Sequence, residues 1–364
     1  MSQAFRPQPR PEILEIDAYV PGKPAPASAA KTYKLSSNES PLGPSPKAIA
    51  AFRDSADMLA LYPDGGAFEL KSAIAERHGV DPAGLIVGNG SDELIGLIAS
   101  AFLKAGDEGL YSQYGFLSYP IAIRAAGATP VIAPEANLMA DVDALLARVG
   151  ANTKVVFIAN PNNPTGALLP RGELRRLHAG LPVDTLLVID AAYAEYVDDA
   201  NYEAGAELVE VYDNVVMCRT FSKAYGLAGL RLGWAYAKPY LIDAVNRIRG
   251  PFNVNAPAQA AGVAALADPG HLAAAIAHNA RWLPWLTREI RALGLEAPPS
   301  HGNFLLIRFR DAAHARRADA ALTSAGFALR GMTGYGLPDC LRLSVGDEDA
   351  NTGVVAALVQ FLGA

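Results

Sequence analysis

The sequence predicts an α/β fold on a mostly parallel sheet, joined to a smaller second unit, and two features carry that expectation. Short apolar runs alternate with amphipathic stretches through the first two thirds of the 364 residues. That is the pattern of parallel strands joined by helices that cover both faces. The final third changes from a long alanine-rich stretch to short strands and helices, which reads as a separate α+β unit. Hydrophobic residues make up 51% of the chain and charged ones 19%, enough for a sizeable core and too apolar for a wholly disordered protein.

The elements follow in order. The first forty residues are rich in Pro, Ala and Ser without a strong period, and read as an arm laid over the rest. Leu85–Gly88 predicts a strand and 92–104 a helix. Strands are expected at 154–159, 185–189 and 214–218, with a helix at 171–178. The alanine-rich stretch predicts a long helix over 262–293, broken by Pro298 and Pro299. A strand at 304–307, a helix at 312–325, a strand at 341–345 and a closing helix at 352–362 complete the smaller unit. The expected division is 37–267 for the larger domain, with 1–36 and 268–364 forming the smaller domain and its N-terminal arm.

Charge and cysteine content exclude several functions. With 31 Lys and Arg against 37 Asp and Glu, the net charge is −6, which argues against nucleic acid or an anionic membrane as main partner. Cys218 and Cys340 have neither zinc-site spacing nor disulfide density, so no metal is expected and a reducing, cytoplasmic setting is. No leader-like apolar core follows Met1, and no apolar run approaches the ~20 residues a membrane helix needs. The mean hydropathy of +0.14 suggests that a partner subunit covers some surface.

In open α/β sheets ligands bind at the carboxyl ends of the strands, and here those ends are polar. The predicted strands deliver Ser91, Asp92 and Glu93; Asn160, Asn163 and Thr165; Asp190 and Tyr193; and Thr220, Ser222 and Lys223. Gly90 and Ser91 at a helix start form an anion cradle or a plain N-cap. Lys223 follows an apolar strand and precedes a small glycine-containing run, which desolvates its amine and suits it to attack an aldehyde. Pairing with a carboxylate at a domain interface is the alternative. Arg231, between apolar flanks, calls for a phosphate or a structural acid. Asp190 at the end of an apolar strand needs a cationic or N–H partner, and a protonated pyridine nitrogen is one. Together these residues point to pyridoxal phosphate, which requires an amine, an acid for its ring nitrogen, donors for its ring oxygen and a cationic cup.

The chain resembles the fold-type I aminotransferases, in particular their histidinol-phosphate aminotransferase branch, over nearly its whole length. The resemblance rests on Ser37-Asn-Glu-Ser-Pro-Leu-Gly-Pro44, Tyr62-Pro-Asp64, Gly88-Asn-Gly-Ser-Asp-Glu93, Pro161-Asn-Asn-Pro-Thr-Gly166, Asp190-Ala-Ala-Tyr193, the run from Thr220 through Ser222, Lys223 and Arg231 to Gly233, and Leu341-Arg-Leu-Ser-Val-Gly346. It implies a three-layer large domain, pyridoxal 5'-phosphate as cofactor, and a homodimer with shared sites. It further implies that Lys223 forms the Schiff base, Asp190 holds the ring nitrogen, and Tyr193 and Asn163 bond the ring oxygen. By the same resemblance Ser91, Asp92, Ser222 and Arg231 cradle the phosphate and Tyr114 stacks on the ring. Tyr62 reaches the partner subunit's cofactor, Arg330 and Arg342 grip the substrate's anionic groups, and Tyr19 closes over the substrate. The family usually carries an acid directly after the Asp190 position, where this chain has Ala191.

The implied reaction is ping-pong transfer of an amino group between histidinol phosphate and 2-oxoglutarate, in histidine biosynthesis. For Arg330 and Arg342 the alternatives are a surface pair and a strand-edge salt bridge. For the activity they are a broad aromatic-amino-acid aminotransferase and a pyridoxal-phosphate decarboxylase. A regulatory, DNA-binding relative would need a helix-turn-helix or basic stripe, and the first forty residues carry neither.

Overall fold

Seven strands form the central sheet of the computed structural model, which describes residues 7–19, 21–24 and 31–363. They are β1 (Leu85–Gly88), β2 (Glu108–Ser112), β3 (Thr129–Ala133), β4 (Thr153–Ala159), β5 (Leu186–Asp190), β6 (Val215–Thr220) and β7 (Gly233–Ala237). Their spatial order is β1-β7-β6-β5-β4-β2-β3. Every pairing is parallel except those of β7, which runs antiparallel to β1 and β6. Strands β4 to β6 are apolar on both faces because helices cover both, so the sheet separates two cores. Residues of β5 show the division: Leu187 and Ile189 enter one core, Leu186 and Val188 the other.

The predicted strands lie within two residues of their expected places; β2 and β3 extend the sheet past β4, and β7 is inserted between β1 and β6. The helix after β1 spans Gly90–Phe102, starting two residues earlier than expected. Glu93 Oε2 reaches back to accept from Asn89 N at 2.6 Å, which satisfies one of the free N–H groups at the helix start. The single helix expected over 262–293 is corrected to two, Ala256–Leu266 and Pro269–Ala292, set at 79°. Asp268 caps the second helix and Pro269 opens it, and a proline with its fixed φ starts a helix better than it continues one. Among the described residues, no single helix is long and apolar enough to cross a membrane.

A third core lies under the smaller sheet, in which Cys340–Ser344 pairs antiparallel with Phe304–Arg308 and with Arg330–Gly331. The N-terminal segment joins it: Tyr33–Lys34 pairs with Phe327–Ala328, and Leu35 is buried in that core. The Pro269–Ala292 helix serves both units. Its Leu272 enters a core of the large sheet, whereas Trp282, Leu286 and Ile290 enter the smaller one. Of the arm, residues 1–6, 20 and 25–30 lie outside the described residues. Of the rest, which is mostly exposed, Glu15 ties the arm to the body by pairing with Arg124 at 2.9 Å.

Candidate active site

The carboxyl ends of β4, β5 and β6 and the start of the Gly90–Phe102 helix meet the smaller sheet around a cavity of about 500 Å³. Lys223, Asp190, Tyr193, Asn163, Ser91, Asp92, Ser222, Arg231, Arg330, Arg342 and Tyr19 all line it. The parallel topology explains the convergence, since strands that point the same way deliver their following loops to one edge.

Lys223 Nζ donates to the Ser37 carbonyl at 3.1 Å and lies 5.8 Å from the Tyr193 ring centre. Burial is the main cause that lowers its pKa to about 8, and the Arg342 charge adds to it. Asp190 is pushed the other way, up to about 7, first by burial and then by the Asp92 charge. Its Oδ2 accepts from the Tyr119 hydroxyl at 3.1 Å, while its buried Oδ1 has no hydrogen-bond partner. A buried carboxylate oxygen without a donor is costly, and it is the atom a protonated ring nitrogen would satisfy.

The anion cradle is built from backbone and cation together. Arg231 stands at φ +53, in the left-handed region that a non-glycine residue occupies only when its surroundings hold it there. Its guanidinium bonds Ser222 Oγ at 3.3 Å and Asp92 Oδ2 at 3.5 Å. Gly90, at φ +78, leaves room for it: a Cβ there would lie 2.4 Å from Arg231 Nη2. Gly233, at the start of β7, lets that strand approach the helix start, where an added Cβ would lie 2.5 Å from Ser91 N.

Arg342 is buried on the Cys340–Ser344 strand, directly opposite Arg330. Its Nη2 donates to the Ser36 carbonyl at 2.9 Å, and its Nη1 to Asn163 Oδ1. Its Nε has no hydrogen-bond partner, and no carboxylate lies within ion-pair distance among the described residues. Burial lowers its pKa. The Arg330 guanidinium lies 5.5 Å from the centre of the half-exposed Tyr19 ring. Beyond Tyr19 and Arg330 a more apolar hollow of about 650 Å³ continues past Leu117, Ile121 and Tyr335.

Two expected site residues stand off the cavity wall. Tyr114 bonds through its hydroxyl to Gln113 at 3.3 Å, and Phe116 lines the cavity instead. Tyr62 is 83% exposed and stacks on Phe252 at 4.7 Å. Asn163 does line the cavity, but its oxygen is engaged by Arg342, so a bond to a ring oxygen falls to its Nδ2. The structure adds residues that sequence reasoning missed. Asn38 Nδ2 donates to the Tyr193 hydroxyl at 2.9 Å, and Tyr119 holds Asp190. The Ser37-Asn38-Glu39 stretch was a visible signal for the first; Tyr119 had none. The Ala191 departure also acquires a physical setting. Ala191 is fully buried in an apolar core, and the neighbouring Arg219 takes its carboxylate from Glu195 at 2.7 Å.

The fold and site together define a fold-type I pyridoxal-phosphate enzyme. The unpartnered Asp190 oxygen, the low-pKa lysine and the cradle around Arg231 fit that cofactor's ring nitrogen, aldehyde and phosphate. Residues 30–358 match the model of the aminotransferase class I and II family, and the chain belongs to that family. It is 53% identical over 360 residues to a histidinol-phosphate aminotransferase of Paramagnetospirillum magneticum, covering 98% of this chain and 99% of the relative. Identity to the histidinol-phosphate aminotransferase of Rhodopseudomonas palustris is 51%, with the same coverage. Among solved structures, histidinol-phosphate aminotransferase from Sinorhizobium meliloti, in complex with pyridoxal-5'-phosphate, superposes with a TM-score of 0.90 at 30% identity. That match covers 100% of this chain and 99% of the other.

Proposed function

We propose that this protein is a histidinol-phosphate aminotransferase, exchanging an amino group between histidinol phosphate and 2-oxoglutarate with pyridoxal 5'-phosphate as cofactor. The observation that carries the substrate reading is the pairing of two cations, Arg330 and Arg342, across adjacent strands, at the wall facing Lys223. One dianionic phosphate, or the two carboxylates of glutamate in turn, would satisfy them. The relatives' shared name and full-length coverage support the same reading.

The bound cofactor supplies an electrophilic aldehyde and an electron-withdrawing ring. In this reading Lys223 holds it, Asp190 Oδ1 faces its ring nitrogen, and Tyr193 Oη and Asn163 Nδ2 face its ring oxygen. Ser91, Asp92, Ser222 and Arg231 hold its phosphate, with Asp92 orienting Arg231 through its side chain. A pKa near 8 leaves Lys223 Nζ partly neutral at physiological pH, able to take the proton from the substrate's amine-bearing carbon and return it. Arg342, already fixed by Ser36 and Asn163, orients the substrate's anion, and Arg330 completes the grip. Tyr19 excludes water from above.

The division into a large domain at 37–267 and a smaller one from both chain ends belongs to the same proposal, as do a cytoplasmic setting and a homodimer. The exposed Phe52, Leu59, Leu61, Tyr62 and Phe68 form the surface we assign to the second subunit, placing Tyr62 at its site. The substrate reading is tested by kcat/KM for histidinol phosphate, phenylalanine and tyrosine with 2-oxoglutarate. A preference of at least tenfold for histidinol phosphate supports it, and a preference for phenylalanine rejects it in favour of an aromatic-amino-acid aminotransferase.

A further inference from the structure

Tyr119 lies on the Ser118–Ala125 helix, away from the strand ends that supply most of the site. It is completely buried, and its ring is fixed on three sides. It stacks on Phe157 of β4 at 5.1 Å and 16°, and meets Tyr111 and Phe116 edge-on at 6.3 and 6.0 Å. The clamp aims the hydroxyl at Asp190 Oδ2, 3.1 Å away. Because its own pKa is raised well above the ordinary value, chiefly by burial, the phenol stays protonated and can donate.

We infer that Tyr119 is a positioning residue for the cofactor's ring nitrogen: by holding Asp190 Oδ2 it keeps the carboxylate ionised and turns Oδ1 toward the ring. The inference rests on the reading that Asp190 receives that nitrogen. Its own ground is the asymmetry of the carboxylate, one oxygen bonded to a clamped phenol and the other buried without a partner.

The groups facing Asp190 come from every side: Asp92 from the helix after β1, Tyr119 from its own helix, Tyr193 and Tyr202 beyond β5, Cys218 on β6 and Lys223 after it. Burial and Asp92 favour the neutral acid, whereas Tyr119, then the Ala192 backbone N–H and Lys223, favour the carboxylate. A hydrogen bond to the charged form lowers a pKa, so loss of the Tyr119 hydroxyl raises that of Asp190. A neutral Asp190 cannot hold a protonated ring nitrogen by charge, and the ring then withdraws fewer electrons.

Tyr119→Phe removes one oxygen and keeps the packed ring, so the fold is preserved; Asp190→Asn is the companion variant. Three measurements apply. The first is the Asp190 titration in cofactor-free protein, by NMR of 13C-labelled carboxyl groups. The second is the pyridoxal phosphate dissociation constant by equilibrium dialysis, and the third is the 15N shift of the labelled ring nitrogen in the holoenzyme. For Tyr119→Phe we expect a raised Asp190 midpoint, about tenfold weaker cofactor binding, a ring nitrogen moved toward its unprotonated shift, and a lower kcat at unchanged KM. Wild-type values for the titration, dissociation constant and nitrogen shift, alongside loss of binding in Asp190→Asn, would overturn the inference and leave the Asp190 reading intact. Wild-type binding and turnover in Asp190→Asn would overturn both.

Discussion

Asn38 Nδ2 donates to the Tyr193 hydroxyl at 2.9 Å, joining positions 155 residues apart. The contact is part of a longer one. The Ser36 carbonyl accepts from Arg342, the Ser37 carbonyl from Lys223, and Asn303 Nδ2 donates to the Asn38 carbonyl at 3.0 Å. Three consecutive residues thus touch the proposed anchor lysine, the phenol beside it and the substrate arginine, and couple the smaller sheet to the cofactor site. Asn38 stands at φ +56 and is buried, a conformation that asparagine tolerates better than most residues. Asn38→Ala leaves the Tyr193 oxygen without this donor and the Ser344 hydroxyl without its acceptor, and should cost about 1–3 kcal/mol of stability. It should also lower kcat about tenfold, read by denaturant melts and steady-state kinetics. A variant with normal stability and turnover would remove the segment from the site.

The cradle depends on Gly90. Gly90→Ala forces a Cβ into the space of Arg231 and places an alanine at a positive φ, a strain of about 1 kcal/mol. Displacing Arg231 should weaken pyridoxal phosphate at least tenfold and leave pyridoxal, which lacks the phosphate, nearly unchanged. Equal loss for both ligands would show that the glycine serves the fold rather than the anion.

The Lys223 amine should titrate below the range of an ordinary lysine. Its pKa is lowered to about 8, so the neutral, reactive form grows as pH rises through 8. Exposed lysines reach that point near 10.4. Competitive acylation of cofactor-free protein, followed by peptide mass spectrometry, should give Lys223 a midpoint near 8. A midpoint near 10 would mean that the site does not desolvate it.

The place of Tyr62 yields a mixing experiment. If its ring completes the partner's site, Lys223→Ala and Tyr62→Ala protomers are each impaired, yet their hybrid contains one wild-type site. Refolding equal amounts together should restore about a quarter of wild-type activity, as random pairing of two subunits requires. Activity no higher than the sum of the separate variants would confine Tyr62 to its own subunit.

What was legible in the sequence was local. Lys223, Asp190 and Ser91 could be found because each ends a strand or follows one within three residues, and a strand end is a property of neighbouring residues. The parallel sheet follows from the same runs. What escaped depends on distant partners. Asn163 carries an oxygen taken by Arg342, 179 residues away, and no spacing announces that. Tyr119 reads as one more aromatic on an amphipathic helix until the fold sets it beside Asp190. The break at Asp268 was readable in principle from an Asp-Pro pair, but the alanine-rich period on both sides overrode it.

The central claim is that Lys223 is the residue that holds the cofactor, and mass spectrometry of the reduced holoenzyme tests it most directly. Borohydride treatment followed by peptide mapping should find the pyridoxyl group on Lys223 and on none of the other eight lysines. Label on another lysine, with Lys223 unmodified, would contradict the account.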